Sequence, residues 1–218
     1  MAKLDLKFYD NKDIYDDGNV ENELLDYYKN NNGNLNFERE DIFYLTTSIR
    51  SNILKWYPIS KNDEVLEIGC GCGTITGMLC EKAKNVTCIE GSKRRAEITY
   101  YRHKEKDNLY VYAGNFEKVA INKKFDYIVL IGVFEYAKIF FENKNPFDFF
   151  LTKIKDMLKE NGKVLLAIEN RYGIKYWAGA NEDHLYTSYV GLEGYDNYNV
   201  QTFGKKEFID LIRKKWFL

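Results

Sequence analysis

The chain reads as an α/β domain with a mostly parallel sheet and helices on both faces, and three observations predict that class. From residue 64 onward, short apolar runs of strand length alternate with stretches of helical spacing. The first run, through Val65, Leu66 and Ile68, stops at Gly69, Gly71 and Gly73, after which Ile75, Met78 and Leu79 recur at helical spacing. A buried strand therefore enters a glycine turn and a helix leaves it, which lets backbone approach a nucleotide-like ligand with no Cβ in the way. Residues 125–131 (FDYIVLI) are apolar enough to be buried on both faces, as parallel strands are.

Residues 1–36 are polar and rich in Asn and Asp, with a short apolar helix around Leu24, Leu25, Tyr27 and Tyr28. They read as an arm or cap, leaving residues 37–218 as the ligand-binding domain. Ile42, Leu45, Ile49, Ile53 and Trp56 are spaced 3, 4, 4 and 3 apart, which predicts one amphipathic helix ended by Pro58. Residues 86–90 (VTCIE) read as a second strand, and Ser92 caps a helix running to about Lys104. Residues 109–113 (LYVYA) are the third strand and 125–131 the fourth. Pro146 suits the first turn of a helix carrying Phe150, Ile154 and Leu158, closed by Gly162, and residues 163–168 (KVLLAI) are the fifth strand. Residues 170–203 show no sustained periodicity and read as a long binding loop or lid. A last helix follows over 205–215, through Phe208, Leu211 and Ile212.

Composition narrows the function classes. Lys+Arg 32 against Asp+Glu 33 gives a net charge of -1, which argues against bulk electrostatic capture of nucleic acid. No apolar run approaches the roughly 20 residues of a membrane span, and MAKLDLKFYD has no signal-peptide core, so a cytoplasmic protein is expected. Cys70, Cys72, Cys80 and Cys88 are the four cysteines. A zinc site on Cys70 and Cys72 would need two more ligands and would occupy the ligand loop itself, so the four read as reduced structural thiols, with no metal expected.

Three ligand chemistries compete for the glycines. A phosphate-binding loop needs Lys after its last glycine, and Thr74 stands there instead. A dinucleotide fingerprint counted from Gly69 wants glycine at position 74, again Thr74. What remains is Glu67-x-Gly69-x-Gly71-x-Gly73, followed twenty-one residues after Gly69 by Glu90 at the end of the second strand. A carboxylate at Glu90 can accept two hydrogen bonds from ribose hydroxyls, and one at Glu67 suits a cationic amino group. This order resembles motif I and its successors in the class I S-adenosylmethionine-dependent methyltransferases, over roughly residues 62–168. The resemblance implies a Rossmann-like methyltransferase fold, with S-adenosylmethionine held at Glu67, Gly69, Gly71, Gly73, Glu90, Asn115, Phe116 and Gly132. Where that family often has an acidic residue reading adenine, this chain has Asn115, whose side-chain oxygen can accept the same bond. Phe116 packs on adenine or belongs to the core. The family usually closes with an antiparallel strand pair after the last helix, and none is legible here, so either the chain is truncated or its sheet is short.

The fourth strand ends in Ile131-Gly132-Val133-Phe134-Glu135-Tyr136, at the carboxyl edge where such folds bind ligands. A hydroxyl or amine acceptor must lose a proton, which a base can assist. Glu135 is one candidate catalytic residue. His184, in Asn181-Glu182-Asp183-His184, is the other: a histidine oriented by carboxylates, or one that holds the loop together. His103 reads as solvated helix surface. The loop aromatics Tyr172, Tyr176, Trp177, Tyr186, Tyr189, Tyr195 and Tyr198 could stack on sugar or base rings, but apolar filling is the favoured reading.

A narrower resemblance runs through IENRYG (168–173), KYWAGANEDH, GLEGYDN, TFGKKEFIDL and the N-terminal FYDNKDIYDDGNVENELL. These segments resemble a bacterial methyltransferase subgroup encoded beside, or fused to, glycosyltransferases of surface-polysaccharide synthesis. That implies O-methylation of a sugar, glycan precursor or small molecule, with a glycosyltransferase as partner. The alternatives are a nucleic-acid methyltransferase and a cofactor-binding partner domain of a larger polysaccharide synthase.

Overall fold

The computed structural model describes residues 1–30 and 34–216. The chain divides into two compact units, one of residues 1–129 with 158–164 and one of residues 130–157 with the chain from 165 onward. The first unit holds most of the sheet. The sheet's strands are β1 (Lys3–Phe8), β2 (Glu64–Ile68), β3 (Asn85–Glu90), β4 (Leu109–Gly114), β5 (Phe125–Ile131) and β6 (Leu158–Ala167), in the order β1-β4-β3-β2-β5-β6. The pairs β1/β4, β2/β3 and β3/β4 are parallel. Strand order reverses at β2, whose neighbours are β3 on one side and β5 on the other. The glycine turn leaves the carboxyl end of β2, at the switch point where open α/β sheets bind ligands.

Apolar content explains the sheet's centre: Val65, Leu66, Val86, Cys88, Ile128 and Leu130 are buried. The helices of this unit are α1 (Asn19–Asn30), α2 (Glu40–Thr46), α3 (Asn52–Lys55), α4 (Thr76–Lys82) and α5 (Lys93–Arg102). Val20 and Leu24 of α1, Ile42 and Leu45 of α2, Ile98 of α5 and Cys72 of the turn form one buried cluster. Glu21 of α1 is fully buried, with its carboxylate 3.0 Å from Arg94 Nε and 3.5 Å from Arg95 Nε. The N-terminal segment is thereby fastened to α5 by both apolar and ionic contacts.

Three expectations give way here. The arm includes a sheet strand, β1, paired with β4 from Lys3 against Tyr110. The single helix expected from Ile42 to Trp56 is broken: Thr47 is extended, a 3-10 turn follows at Ser48–Ser51, and α3 is one turn long. Of the apolar residues there, Ile42, Leu45 and Leu54 are buried, while Ile49, Ile53 and Trp56 are exposed. Finally, the helix expected to run to Gly162 ends at Met157, and Gly162 lies inside β6, where a Cβ would come within 2.8 Å of the Phe125 carbonyl oxygen.

The second unit contains a 3-10 turn at Phe134–Tyr136, then α6 (Ala137–Phe140), α7 (Pro146–Met157), α8 (Ile174–Trp177), α9 (Val190–Glu193) and α10 (Lys205–Arg213). Its core is aromatic: the Phe134 ring lies 5.3 to 6.0 Å from those of Phe147, Phe150, Phe203 and Phe208. Residues 170–203 are ordered rather than structureless. Bridges Asn170/Phe203 and Asn181/Ser188 and the two one-turn helices α8 and α9 organise them. Among the described residues no strand follows β6 and no helix is long and apolar enough to cross a membrane. The expected lack of a closing strand pair falls partly on Phe217 and Leu218, and the arm partly on residues 31–33; all five lie outside the described residues.

Candidate active site

Gly69, Gly71 and Gly73 have φ of 70°, 55° and 75°, left-handed values that L side chains rarely adopt. Every second residue of the turn must therefore be glycine, which is the physical content of the G-x-G-x-G spacing. The turn's carbonyl oxygens face α5. The Thr99 hydroxyl donates to Gly71 O at 2.6 Å, Arg102 Nη1 to Cys72 O at 3.0 Å, and His103 Nε2 lies 2.7 Å from Gly73 O. Thr99, Arg102 and His103 share one helical face by their spacing of three and four. None of the three is legible as a site residue from its type alone. The polar face of the helix after Ser92 was the available signal. His103 is thus not solvated surface: burial pushes its imidazole down to about 4, so it is neutral and donates through Nε2.

The two strand-end carboxylates take different places. Glu90, at the end of β3 and 5% exposed, accepts the Gly71 N–H at 2.7 Å on one oxygen and the Ser92 N–H at 3.0 Å on the other. Glu67 is buried beneath the turn, and its Oε2 accepts the Thr76 hydroxyl at 2.7 Å and the Cys88 thiol at 3.4 Å. Burial pushes the Glu67 carboxyl up to about 7. Asn115 uses its side-chain oxygen to accept the Glu117 N–H at 3.0 Å, and Phe116 is buried. The structure thus brings Glu67, Gly69, Gly71, Gly73 and Glu90 together around one turn, with Asn115 and Phe116 after β4 in the same unit. All four cysteines are free and buried, and burial pushes the thiols of Cys72 and Cys80 up to about 12, as expected for structural thiols.

Gly132 belongs to the second unit, where its φ is 67° and its N–H donates to Ala167 O at 3.0 Å. That bond sets the chain after β5 beside the chain after β6, and so brings Glu135 and Glu169 near each other. His184 completes the group: its Nε2 is 3.5 Å from Glu135 Oε1 and 3.9 Å from Glu169 Oε2. Its Nδ1 lies 2.9 Å from Glu182 Oε1. Glu182, 1% exposed, is the hub of the segment: its Oε2 accepts the N–H of His184 and Leu185, and its Oε1 accepts the Tyr195 hydroxyl. Burial alone would pull the His184 imidazole down, but the carboxylates of Glu135 and Glu182 outweigh it and push it up to about 10. Burial raises the Glu135 carboxyl. At neutral pH the imidazole therefore already carries its proton.

Glu169 went unread as a site residue, whereas the carboxylate expected beside His184 is Glu182. Glu169 follows β6 as Glu90 ends β3, and the same strand-end logic would have found it. Of the two acids before His184, only Glu182 orients the ring, because Asp183 pairs with Lys175 and the Tyr176 hydroxyl. The aromatic filling expected of the loop holds for Tyr176 and Tyr195, which are buried; Tyr172, Trp177, Tyr186, Tyr189 and Tyr198 are exposed. Tyr186 and Tyr189 also sit at positive φ, 53° and 67°, backbone strain of the kind that collects at functional loops.

Comparison with known proteins agrees with the fold. Residues 66–164 match the family of methyltransferase domains. A ubiquinone biosynthesis O-methyltransferase from Pelagibacter ubique is 30% identical over 131 residues, 56% of this chain and 51% of that protein. A ribosomal RNA small subunit methyltransferase A from Malacoplasma penetrans is 27% identical over 113 residues, 52% of this chain and 42% of that protein. The chain thus spans about half the length of these curated relatives. Among solved structures, the N-methyltransferase NodS from Bradyrhizobium japonicum, in complex with S-adenosyl-L-homocysteine, superposes with a TM-score of 0.54 at 19% identity, covering 93% of this chain and 86% of that one. The fold is the Rossmann-like methyltransferase fold.

Proposed function

We propose that this chain is an S-adenosylmethionine-dependent methyltransferase that methylates an oxygen of a sugar, glycan precursor or small molecule. The observation that carries the cofactor is the turn after β2: three left-handed glycines, with Glu90 bonded to the middle one. The residues present fit that cofactor. At Gly71 the φ of +55° disfavours any side chain, which keeps the backbone bare, and Glu90 sits at the strand end where ribose is bound in such folds. When bound, S-adenosylmethionine supplies an electrophilic methyl group on its sulfonium.

The chain's own residues do the rest. The backbone of Gly69, Gly71 and Gly73 receives the methionyl part, and Glu90 accepts from the ribose hydroxyls. Asn115 and Phe116 serve the adenine side. Glu67 acts from below, fixing the first turn of α4 through Thr76. For the acceptor we assign Glu135 and His184, with Glu135 receiving the hydroxyl proton and the His184 imidazolium holding Glu135 ionised. The exposed rings of the 170–203 segment suit a sugar face, and supply a reason for them to be exposed. A glycosyltransferase partner and a cytoplasmic location belong to the same proposal; both rest on the resemblance and on sequence composition.

Relatives acting on ribosomal RNA favour a second reading, a nucleic-acid methyltransferase, against which the net charge of -1 counts. The deciding experiment incubates the chain with methyl-labelled S-adenosylmethionine and three acceptor pools: nucleotide sugars, surface glycans and ribosomal RNA. Label in a sugar pool is the expected result. Label in RNA, falling steeply with salt, would replace this reading by the second. Cofactor binding with label in no pool would favour a partner domain without catalysis.

A further inference from the structure

Three groups of the second unit that can each offer a ligand atom lie close together. One ligand atom from each of Glu135, Glu169 and His184 lies within 4.8 Å of the others. Glu135 is 1% exposed, and its Oε2 is buried without a hydrogen-bond partner, as is Oε2 of Glu169. His184 Nε2 stands 3.5 Å from Glu135 Oε1 and 3.9 Å from Glu169 Oε2, and the Oε2 atoms of both carboxylates receive no hydrogen bond from the ring. A buried carboxylate oxygen left alone costs about 1–3 kcal/mol, and this cluster holds two.

We infer that Glu135, Glu169 and His184 form a site for one divalent transition cation, of the Mn2+ or Zn2+ class, which takes the place of the Nε2 proton of the His184 imidazolium and releases it to solvent. Two carboxylates balance the cation's charge, and an imidazole nitrogen beside them suits these metals better than Mg2+ or Ca2+. A metal about 2.1 Å from each donor sets donors ~3.0 Å apart at right angles and ~3.4 Å apart at a tetrahedral angle, so the 3.5 and 3.9 Å separations close by small side-chain shifts. The surroundings are those of a metal-bound histidine. Glu182 holds Nδ1 at 2.9 Å, which turns Nε2 toward the carboxylates, and Glu182 is itself fixed by two backbone N–H groups and Tyr195. Three protein ligands leave positions open for an acceptor oxygen. That last point rests on the methyl-transfer reading above; the site itself does not.

The test is a Mn2+ titration of the full chain at constant pH, read by loss of the free-ion paramagnetic resonance signal, with Zn2+ as competitor. S-adenosylhomocysteine binding is measured on the same samples. One Mn2+ per chain is expected, displaced by Zn2+. Glu135→Gln and Glu169→Gln each abolish saturable uptake, and Glu182→Gln weakens it about 10- to 100-fold, with S-adenosylhomocysteine binding retained in all three. If Glu135→Gln does not fold, the half-exposed Glu169 supplies the usable variant. No stoichiometric uptake of either metal by the parent chain, or uptake unchanged in Glu169→Gln, overturns the site. Failure of S-adenosylhomocysteine to bind the parent chain would instead strike the cofactor reading and leave the metal result standing.

Discussion

Replacing Gly73 by alanine tests the turn's construction in two separable parts. At φ +75° a side chain is strained, at about 1–2 kcal/mol. The new Cβ would also meet His103 Cδ2 and Nε2 at 3.0 Å and Thr99 Oγ1 at 3.1 Å, the groups that bind the turn's carbonyls. Overpacking of this kind costs about 1–3 kcal/mol, for a total near 2–5 kcal/mol. At this chain length each kcal/mol moves the midpoint by about 2–4 °C, so Tm falls by roughly 4–20 °C. Gly18 supplies the control, because its φ is +79° with nothing within 4 Å of an added Cβ. Gly18→Ala therefore carries the backbone cost alone. Urea unfolding of both variants measures the difference, which the structure assigns to crowding against α5. Equal losses at the two positions would refute the packing of the turn on Thr99 and His103.

Glu67 and His103 make opposite contributions to the pH dependence of stability. The folded Glu67 carboxyl holds its proton up to about pH 7 against 4.5 unfolded, so its contribution falls by ~3 kcal/mol as pH rises from 4.5 to 7. His103, lowered to about 4 from 6.5, contributes stability above pH 6.5 that is lost as pH falls toward 4. Glu67→Gln should therefore leave stability rising more steeply with pH across this window, and His103→Gln should do the reverse; urea midpoints from pH 4.5 to 8 read both signs. Glu21→Ala removes a buried partner of Arg94 and Arg95, which keep Asp16 and Asp17, and should cost about 1–3 kcal/mol by chemical denaturation; a loss under ~1 kcal/mol would mean that α1 is held by its apolar face alone. Tyr195→Phe removes a donor from the buried Glu182 carboxylate and should cost about 1–3 kcal/mol, visible as a lower urea midpoint.

The legible parts of the chain were those whose signal is local. The glycine spacing at 69, 71 and 73 specifies a left-handed backbone whatever surrounds it, and alternating strand and helix patterns specify the sheet. What failed depended on partners. Ile49, Ile53 and Trp56 keep helical period with Ile42 and Leu45, but the chain kinks at Thr47 and their side chains stay exposed. β1 exists because β4 offers it an edge, a fact no window of residues 3–8 contains. His103 sits in a basic run that reads as surface until Gly73 is placed beside it. Glu169, Glu182 and Glu135 lie far apart in sequence, and the group around His184 forms only once residues 170–203 fold back through the Asn170/Phe203 and Asn181/Ser188 bridges.

Calorimetric titration with S-adenosylhomocysteine addresses the central claim, that the turn after β2 and Glu90 form a nucleoside cofactor site. The parent chain should bind one equivalent, and Glu90→Ala, checked for folding, should bind at least about 10- to 100-fold more weakly for the loss of charge-assisted ribose bonds. No heat of binding to the folded parent chain, or undiminished affinity in Glu90→Ala, would contradict it.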